Sequence, residues 1–211
     1  MQEIAAHMYY LVESTEGEEP MTRTSTRPMR ADAERTVRTI LAAAERVLGQ
    51  NPSATLEQIA EAAGVARTTV HRRFANRDDL LRTMSRNSWQ RIVAAVDAAR
   101  PNTAPPLVAL HQATANVIEI KYGAKFALDQ ADPADREVVA LQADVFAKCD
   151  VVLTRAQESG AIAPDADLDW VRRVYLALIA ETVHGAAEPT SDPDALAGRV
   201  IETLLHGFGP R

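Results

Sequence analysis

The run RTTVHRRF, residues 67–74, carries the side chains of this sequence that are best suited to binding nucleic acid. Val70 and Phe74 are four residues apart, so a helix over this run would bury both on one face. The opposite face would then present four donor side chains to solvent: Arg67, Thr68, His71 and Arg72. Guanidinium, hydroxyl and imidazole groups on an exposed helix can donate hydrogen bonds to phosphates and to base edges in the major groove.

The preceding residues, 55–65, predict a second helix and a turn that would hold the donor helix in place. Thr55 and Gln58 have the spacing of a capping box, in which each side chain bonds the backbone N–H of the other. Gly64 stands where the chain must turn sharply, because glycine adopts a positive φ without steric cost. The buried face between these points has helical spacing and consists of Leu56, Ile59, Ala60 and Ala63. Together, the two predicted helices and the turn between them indicate a helix-turn-helix. The alternative is a helical hairpin without a binding role.

The whole chain has the pattern of an all-α protein with about nine helices. A first helix is predicted at about 31–48, with its cap near Asp32, and a fourth at about 76–99. Prolines at 101, 105 and 106 mark a break, after which helical periodicity returns at about 106–121, 123–130, 133–159, 168–187 and 193–206. No segment alternates with period two, and no hairpin signal occurs. The expected architecture is an N-terminal three-helix head followed by a larger C-terminal helical domain.

Residues 30–84 resemble the DNA-binding region of the TetR family of bacterial transcriptional repressors. The matching stretches are residues 40–44 in the first helix, 56–65 in the second, 69–74 in the third and 76–81 at the start of the fourth. The resemblance implies a homodimer in which each subunit joins an N-terminal DNA-binding domain to a C-terminal ligand-binding and dimerisation domain. The C-terminal half is comparable to the family only in its all-helical character.

The same resemblance implies roles for individual residues. Thr55 would touch a phosphate from the start of the second helix, and Arg77 would grip one from the start of the fourth. His71 stands where the family usually has a tyrosine, and Arg73 where a histidine is frequent. Ala66 replaces the usual serine or threonine, so the helix predicted at residues 67–74 would lack a side-chain cap at its start. The predicted DNA-binding residues are Thr55, Arg67, Thr68, Thr69, His71, Arg72, Arg73 and Arg77.

Charge is divided unevenly along the chain. The net charge of the whole sequence is -6, which alone would argue against a DNA-binding protein. Residues 27–82, however, carry ten arginines against seven acidic residues, so positive charge is concentrated where phosphates would lie. We therefore predict a DNA-binding domain at residues 29–82 and a ligand-binding and dimerisation domain at residues 83–211.

Residues 1–28 are predicted to be a disordered or mobile N-terminal tail, because they are acidic and lack a long helical period. Three interpretations remain open for this segment. It could be an upstream extension before a natural start at Met21, or an arm whose Arg23, Arg27 and Arg30 reach the minor groove, or a disordered tail without a role.

Two further sets of residues are candidates for function in the C-terminal domain. Aromatic and polar side chains that could line an apolar pocket for an effector are Trp89, His111, Tyr122, Phe126, Phe146, Tyr175 and His184. Apolar residues of the last two helices that could form a four-helix bundle with a second subunit are Val171, Val174, Leu178, Leu196, Val200 and Leu204. In each set, the simpler alternative is that the residues only fill the core of their own subunit.

Catalytic and metal-binding signals are weak throughout. Asp165, Asp167 and Asp169 resemble the start of a calcium loop, but Trp170 and Leu176 stand where that loop needs glycine and glutamate. The histidines have no metal-ligand spacing, and no glycine-rich phosphate loop or nucleophile elbow occurs. We therefore expect no enzyme activity, no metal and no cofactor.

The sequence also favours a reducing compartment. A single cysteine, Cys149, excludes an internal disulfide. No apolar run reaches the roughly 20 residues that span a bilayer, and the N-terminus lacks the features of a secretory signal. The expected location is the cytoplasm, with no membrane partner.

These patterns lead to one main hypothesis and one alternative. The main hypothesis is a ligand-responsive transcriptional repressor that binds a palindromic operator as a homodimer and is released by a small hydrophobic or aromatic effector. The alternative is a helical protein–protein interaction module that binds no operator. A DNA-processing enzyme with a helix-turn-helix head is disfavoured, because no carboxylate or metal cluster accompanies the head.

Overall fold

This computed structural model describes residues 26–185 and 192–209, and within them it contains nine helices and no strand. The helices are α1 Thr26–Gln50, α2 Leu56–Ala62, α3 Arg67–Arg73, α4 Arg77–Ala98, α5 Pro106–Gly123, α6 Lys125–Asp129, α7 Arg136–Glu158, α8 Leu168–Gly185 and α9 Pro193–Phe208. The all-α prediction is therefore confirmed. None of the described helices is long and apolar enough to cross a membrane.

The first helix begins earlier than the sequence pattern predicts. α1 starts at Thr26, so Asp32 lies inside the helix and does not cap it. Pro28 is compatible with this start, because the first turn of a helix contains backbone N–H groups that have no partner within the helix. Arg23 and most of the predicted tail lie outside the described residues. Residues 26–35 at the start of α1 belong to one compact unit, and the described residues from Thr36 onward belong to a second.

A small apolar core holds the N-terminal helices of the second unit together. Ile40 on α1, Ile59 on α2 and Val70 on α3 are fully buried and pack in one cluster. Leu80 and Met84 join the same cluster from the first turns of α4. The residues that make α2 and α3 a helix-turn-helix are thus fixed by the neighbouring helices. α4 continues through the domain boundary predicted at residue 82, so that boundary stays a prediction.

The remaining helices pack around α5, which contacts α4, α7, α8 and α9. Seven residues separate α4 from α5, and the Asn116 amide of α5 donates to the Ala95 carbonyl of α4 at 3.2 Å. Such a short connection between two packed helices makes them an antiparallel pair. The core around α5 includes Leu110, Ile118 and Leu153, all 2% exposed or less.

Polar contacts also join the N-terminal helices to the C-terminal ones within this unit. The Glu45 carboxylate on α1 accepts hydrogen bonds from the backbone N–H groups of Phe126, at 2.7 Å, and Ala127, at 3.2 Å. Arg86 on α4 donates through Nε to the Asp135 carboxylate at 2.8 Å. Asp135 also caps α7, which therefore begins at Arg136 and not at the predicted residue 133.

Candidate functional site

The helix-turn-helix has the local geometry that its sequence predicts. The Gln58 backbone N–H donates to Thr55 Oγ1 at 3.3 Å, and the Thr55 N–H donates to Gln58 Oε1 at 2.9 Å, which completes the capping box. Gly64 has a φ of +66°, a conformation that costs other residues about 1–2 kcal/mol. Ala66 precedes α3 and offers no side-chain cap. These contacts fix where α3 leaves the turn.

One face of α3 is anchored and the other is open to solvent. Val70 is 0% exposed and Phe74 is 2% exposed, so both face the core. The predicted DNA-binding residues of this helix lie on the other side: Arg67, Thr68, His71, Arg72 and Arg73 are exposed, and Thr69 is half-buried. In the part of the chain that the structure describes, no carboxylate pairs with Arg72 or Arg73. Their guanidinium groups are available to an anionic partner.

A carboxylate that the sequence argument overlooked lies beside this face. Glu57, in the first turn of α2, pairs with Arg67 Nη2 at 2.7 Å and lies 3.5 Å from His71 Nε2. A hydrogen bond from its own backbone N–H, followed by the bond from Arg67, lowers the pKa of Glu57 to about 2. Glu57 is therefore ionised at neutral pH and orients Arg67. Its signal in the sequence was weak, because an acidic residue in a first helical turn is common for dipole reasons alone.

Arg77 and Thr55 have structural partners as well as their predicted roles. The Arg77 guanidinium donates to the Pro52 carbonyl, which ties the start of α4 to the loop before α2. Asn76 caps α4 by accepting from the Asp79 N–H at 2.9 Å. Because a guanidinium has five N–H donors, Arg77 keeps others for a phosphate. Thr55 is exposed, and its hydroxyl already accepts the bond that caps α2.

A cavity of about 220 Å³ lies between α4, α5, α7 and α8. Three of the seven predicted pocket residues line it: Trp89, Phe146 and Tyr175. Most other lining residues are aliphatic: Ile92, Val96, Ala99, Pro101, Ala109, Leu110, Ala113, Val117, Val145, Val152, Leu176 and Ile179. The Tyr175 hydroxyl forms a hydrogen bond with Thr114 Oγ1 at 2.7 Å, and burial raises the Tyr175 pKa. The cavity wall is therefore almost entirely apolar.

The other four predicted pocket residues do not line this cavity, so their place in an effector site stays a prediction. His111 lies 3.6 Å from Asp194 on α9, and the Tyr122 hydroxyl donates to the Thr182 carbonyl at 3.2 Å. Phe126 packs against the core of the N-terminal helices, and His184 is exposed with Nδ1 2.7 Å from the Ala180 carbonyl. Residue type alone could not distinguish these positions, because the cavity is defined by which helix faces converge.

Three polar residues of the cavity wall were not predicted: Lys121, Lys148 and Cys149. Lys148 Nζ lies 2.6 Å from an Asp97 carboxylate oxygen and 2.7 Å from one of Asp144. Burial raises the pKa of Cys149 to about 12, so its thiol stays protonated and unreactive. Among the described residues, no carboxylate lies within ion-pair distance of Lys121.

Four of the six residues predicted to form a dimer interface are buried in the core of the single chain. Val171, Leu196, Val200 and Leu204 are all 8% exposed or less. In the single chain they pack in its own core, and their place at a subunit interface stays a prediction. Val174 and Leu178 are half-buried and remain candidates. The sequence could not separate the two groups, because α8 and α9 are apolar on more than one face.

Comparison with known proteins places this geometry in a family. Residues 40–84 match the model of "Bacterial regulatory proteins, tetR family", which spans the second half of α1 to the first turns of α4. The chain is also 35% identical over 176 residues to the HTH-type transcriptional repressor LfrR of Mycolicibacterium smegmatis, covering 83% of this chain and 91% of that protein. The chain belongs to the TetR family.

Solved structures of TetR-family regulators have the same fold. PfmR from Thermus thermophilus superposes with a TM-score of 0.70 at 18% identity, covering 82% of this chain and 98% of PfmR. LfrR from Mycobacterium smegmatis, solved in complex with proflavine, has a TM-score of 0.60 at 27% identity, covering 84% of this chain and 99% of that one. As a TetR-family chain, the protein is a transcriptional regulator with a DNA-binding helix-turn-helix.

A metal centre has no support among residues 26–185 and 192–209 of this TetR-family protein. No three histidine, cysteine, aspartate or glutamate side chains within that part form a group that could hold a metal ion. Asp167 instead caps α8, since its Oδ1 accepts from the Asp169 N–H at 3.0 Å. The acidic cluster at residues 165–169 thus has a structural explanation.

Proposed function

We propose that this protein is a repressor that binds a palindromic operator as a homodimer and leaves it when a small apolar or aromatic effector occupies the cavity. The observation that carries the proposal is the outward donor face of α3, anchored from behind by Val70 and Phe74. Arg72 and Arg73 are the cations on that face without a carboxylate partner among the described residues. These groups suit guanine edges and phosphates.

A dimer is part of the proposal, because one helix of seven residues touches too few bases for tight binding. Two copies of α3 related by a two-fold axis would enter successive major grooves about 34–36 Å apart. Val174 and Leu178 on α8 are the predicted interface residues that retain accessible surface. We assign the subunit contact to this helix and its neighbour α9.

In this proposal, α4 couples effector binding in the cavity to DNA binding by α3. Trp89, Ile92 and Val96 of this helix line the cavity, while Leu80 and Met84 near its start pack in the core that holds α2 and α3. An effector that favours a different tilt of α4 would change the spacing of the two α3 helices. The equilibrium shifts by the difference between the effector's affinities for the two states. The proflavine complex of LfrR supports a small-molecule effector for this chain.

Operator titrations at two salt concentrations test the proposal. Fluorescence anisotropy with DNA from upstream of the protein's own gene should show binding that weakens steeply as salt rises. Arg72→Ala should lose base discrimination by about 1–3 kcal/mol, whereas Arg77→Ala should weaken all sequences alike and lower the salt slope by about one unit. Arg136→Ala, an exposed arginine at the start of α7, is the matched control and should change neither.

The alternative function makes a different prediction in the same experiment. A helical interaction module without operator binding would show absent or salt-insensitive binding to that DNA. In that case Arg72→Ala and Arg136→Ala would behave alike, and the operator-binding proposal would be rejected.

A further inference from the structure

The cavity between α4, α5, α7 and α8 contains one cationic side chain whose charge is not balanced. Lys121 lines this cavity and is half-buried near the end of α5. Burial among apolar groups disfavours its charged form and lowers the pKa of Lys121, with Asp129 opposing that effect only at longer range. A buried ammonium without a counter-ion is costly, and proteins normally pair such a group.

Lys148 in the same wall provides an internal comparison. Its ammonium is held by Asp97 at 2.6 Å and Asp144 at 2.7 Å. Those two carboxylates already balance Lys148, so it does not need an anion from a ligand. Lys148 has two carboxylate partners, whereas Lys121 has none among the described residues. An anionic group of a ligand would therefore be accommodated beside Lys121.

A second unpartnered donor lies at the same level of the cavity. The bond between Asn116 and Ala95 sets the register of the antiparallel helices α4 and α5. Trp89 is six residues before Ala95, and Lys121 is five residues after Asn116, so both lie about one and a half turns from that bond in the same direction. The Trp89 Nε1 atom is buried and has no hydrogen-bond partner among the described residues. Trp89 and Lys121 therefore line the cavity at about the same level along α4 and α5.

We propose that the effector is a small organic anion with a ring-sized apolar body, and that its carboxylate pairs with the Lys121 ammonium. This inference rests on the proposed effector function of the cavity. The volume of about 220 Å³ is below the roughly 300–1,000 Å³ of sites for drug-sized ligands, which suits one or two fused rings. The aliphatic wall and the side chains of Trp89 and Phe146 contact the apolar body.

The same geometry selects against cationic ligands. An ammonium group placed at this end of the cavity would lie beside Lys121 with no carboxylate of the described residues near enough to pair with it. Like charges in a site with little solvent are strongly unfavourable. Specificity would thus come from one residue that attracts an anion and repels a cation.

Three probes with one ring system test the charge preference: naphthoate, naphthylmethanol and naphthylmethylammonium. Isothermal titration of the full chain should show naphthoate binding about tenfold or more tighter than the alcohol, with the ammonium weakest. Lys121→Met keeps the aliphatic stem but removes the charge, so it should lose this advantage for naphthoate while alcohol binding changes little. Lys125→Met, at an exposed lysine one turn further along the chain, is the matched control and should retain it.

Several results would overturn the inference. Tightest binding by the ammonium, equal binding by naphthoate to the chain and to Lys121→Met, or no binding by any of the three probes would each reject Lys121 as the anchor of an aromatic anion. Far-ultraviolet circular dichroism of Lys121→Met checks that it folds. Operator titration without probe is measured separately, so a failure of DNA binding is distinguished from a failure of the anion preference.

Discussion

The helix-turn-helix and the cavity place their functional groups in opposite directions. On α3 the donor side chains point to solvent, and the inner face is filled by Val70 and a continuous apolar core. In the cavity between α4, α5, α7 and α8 the candidate groups point inward, and the space between the helices is not filled. The charge pattern is reversed as well: several cations lie outside in the first region, and one unbalanced cation lies inside in the second.

This difference shows how each region tolerates change. The core beneath α3 has to be filled, because the position of an outward face depends on what packs behind it. The cavity has to remain open, because a ligand occupies the place that side chains fill elsewhere. Removing side-chain volume from the core beneath α3 should therefore lower the stability of the fold. Adding side-chain volume to the cavity wall should weaken ligand binding and leave stability almost unchanged.

The largest expected effect comes from testing that contrast in volume. Ile59→Ala removes a fully buried side chain beneath α3 and should lower the free energy of unfolding by about 2–5 kcal/mol. Ala113→Leu adds volume to the cavity wall and should change stability by less than about 1.5 kcal/mol, while it abolishes naphthoate binding. Urea unfolding followed by circular dichroism measures the first quantity, and calorimetry the second.

Val108→Ala is the control for both variants, since Val108 is an exposed apolar residue on α5 with 59% of its surface accessible. It should leave stability and binding close to those of the parent chain. If Ala113→Leu destabilised the fold as much as Ile59→Ala, the space between the helices would not be available to a ligand, and the comparison would fail.

The next largest effect concerns the carboxylate on the outer face. Glu57→Gln removes the charge that holds Arg67 and lies near His71, so Arg67 becomes free to bind a phosphate. The slope of log affinity against log salt should steepen by about one unit, and affinity at low salt should rise. Anisotropy titrations over a salt series measure this. Glu61→Gln, an exposed glutamate on the same helix, controls for simple removal of one negative charge, and equal slopes for the two variants would argue against a specific role for Glu57.

Glu57 also shows what could be read from the sequence in the N-terminal region and what could not. The cap at Thr55, the turn at Gly64 and the inner positions Val70 and Phe74 follow from spacing within about twenty residues, and the structure has all of them. Glu57 lies on α2 and Arg67 on α3, so their pairing spans the turn between the two helices. The periodicity within either helix therefore could not predict it.

The cavity was less predictable for the same physical reason. Its wall comes from four helices spread over residues 89–179, and Trp89 and Tyr175 were predicted because aromatic residues often line such sites. Lys121 was missed, since a lysine near the end of a helix is typical of a solvated surface. Only the packing of α5 against α4 and α7 shows that this lysine lines an apolar space.

A smaller effect is expected at the turn itself. Nothing lies within 4 Å of a Cβ built on Gly64, so Gly64→Ala should cost only the strain of its positive φ, about 1 kcal/mol. Gly49→Ala, in the last turn of α1 and equally free of neighbours, should instead stabilise slightly because alanine is the better helix former. Thermal unfolding of both variants should show a lower midpoint temperature for Gly64→Ala and a slightly higher one for Gly49→Ala. Equal shifts would mean that the positive φ of Gly64 adds no strain when alanine replaces it.

The smallest effect tests the contact that links α1 to α6. Desolvation raises the pKa of Glu45 above its ordinary 4.5, although bonds from the Phe126 and Ala127 N–H groups oppose the shift. The folded chain therefore holds this proton more tightly than the unfolded chain does. Protonation of Glu45 favours the fold, so its unfavourable contribution at neutral pH diminishes as pH falls through the raised pKa and is gone below about 4.5.

Glu45→Gln has no such proton, so the stability of the parent chain relative to this variant should rise as pH falls from neutral towards 4.5. Urea unfolding at a series of pH values measures the difference, and Glu119→Gln, an exposed glutamate on α5, should show no comparable trend. A difference that is constant with pH, or that falls, would mean that the two backbone N–H groups outweigh desolvation at this carboxylate. Glu45 would then act like a solvated helix cap for the Phe126 and Ala127 N–H groups.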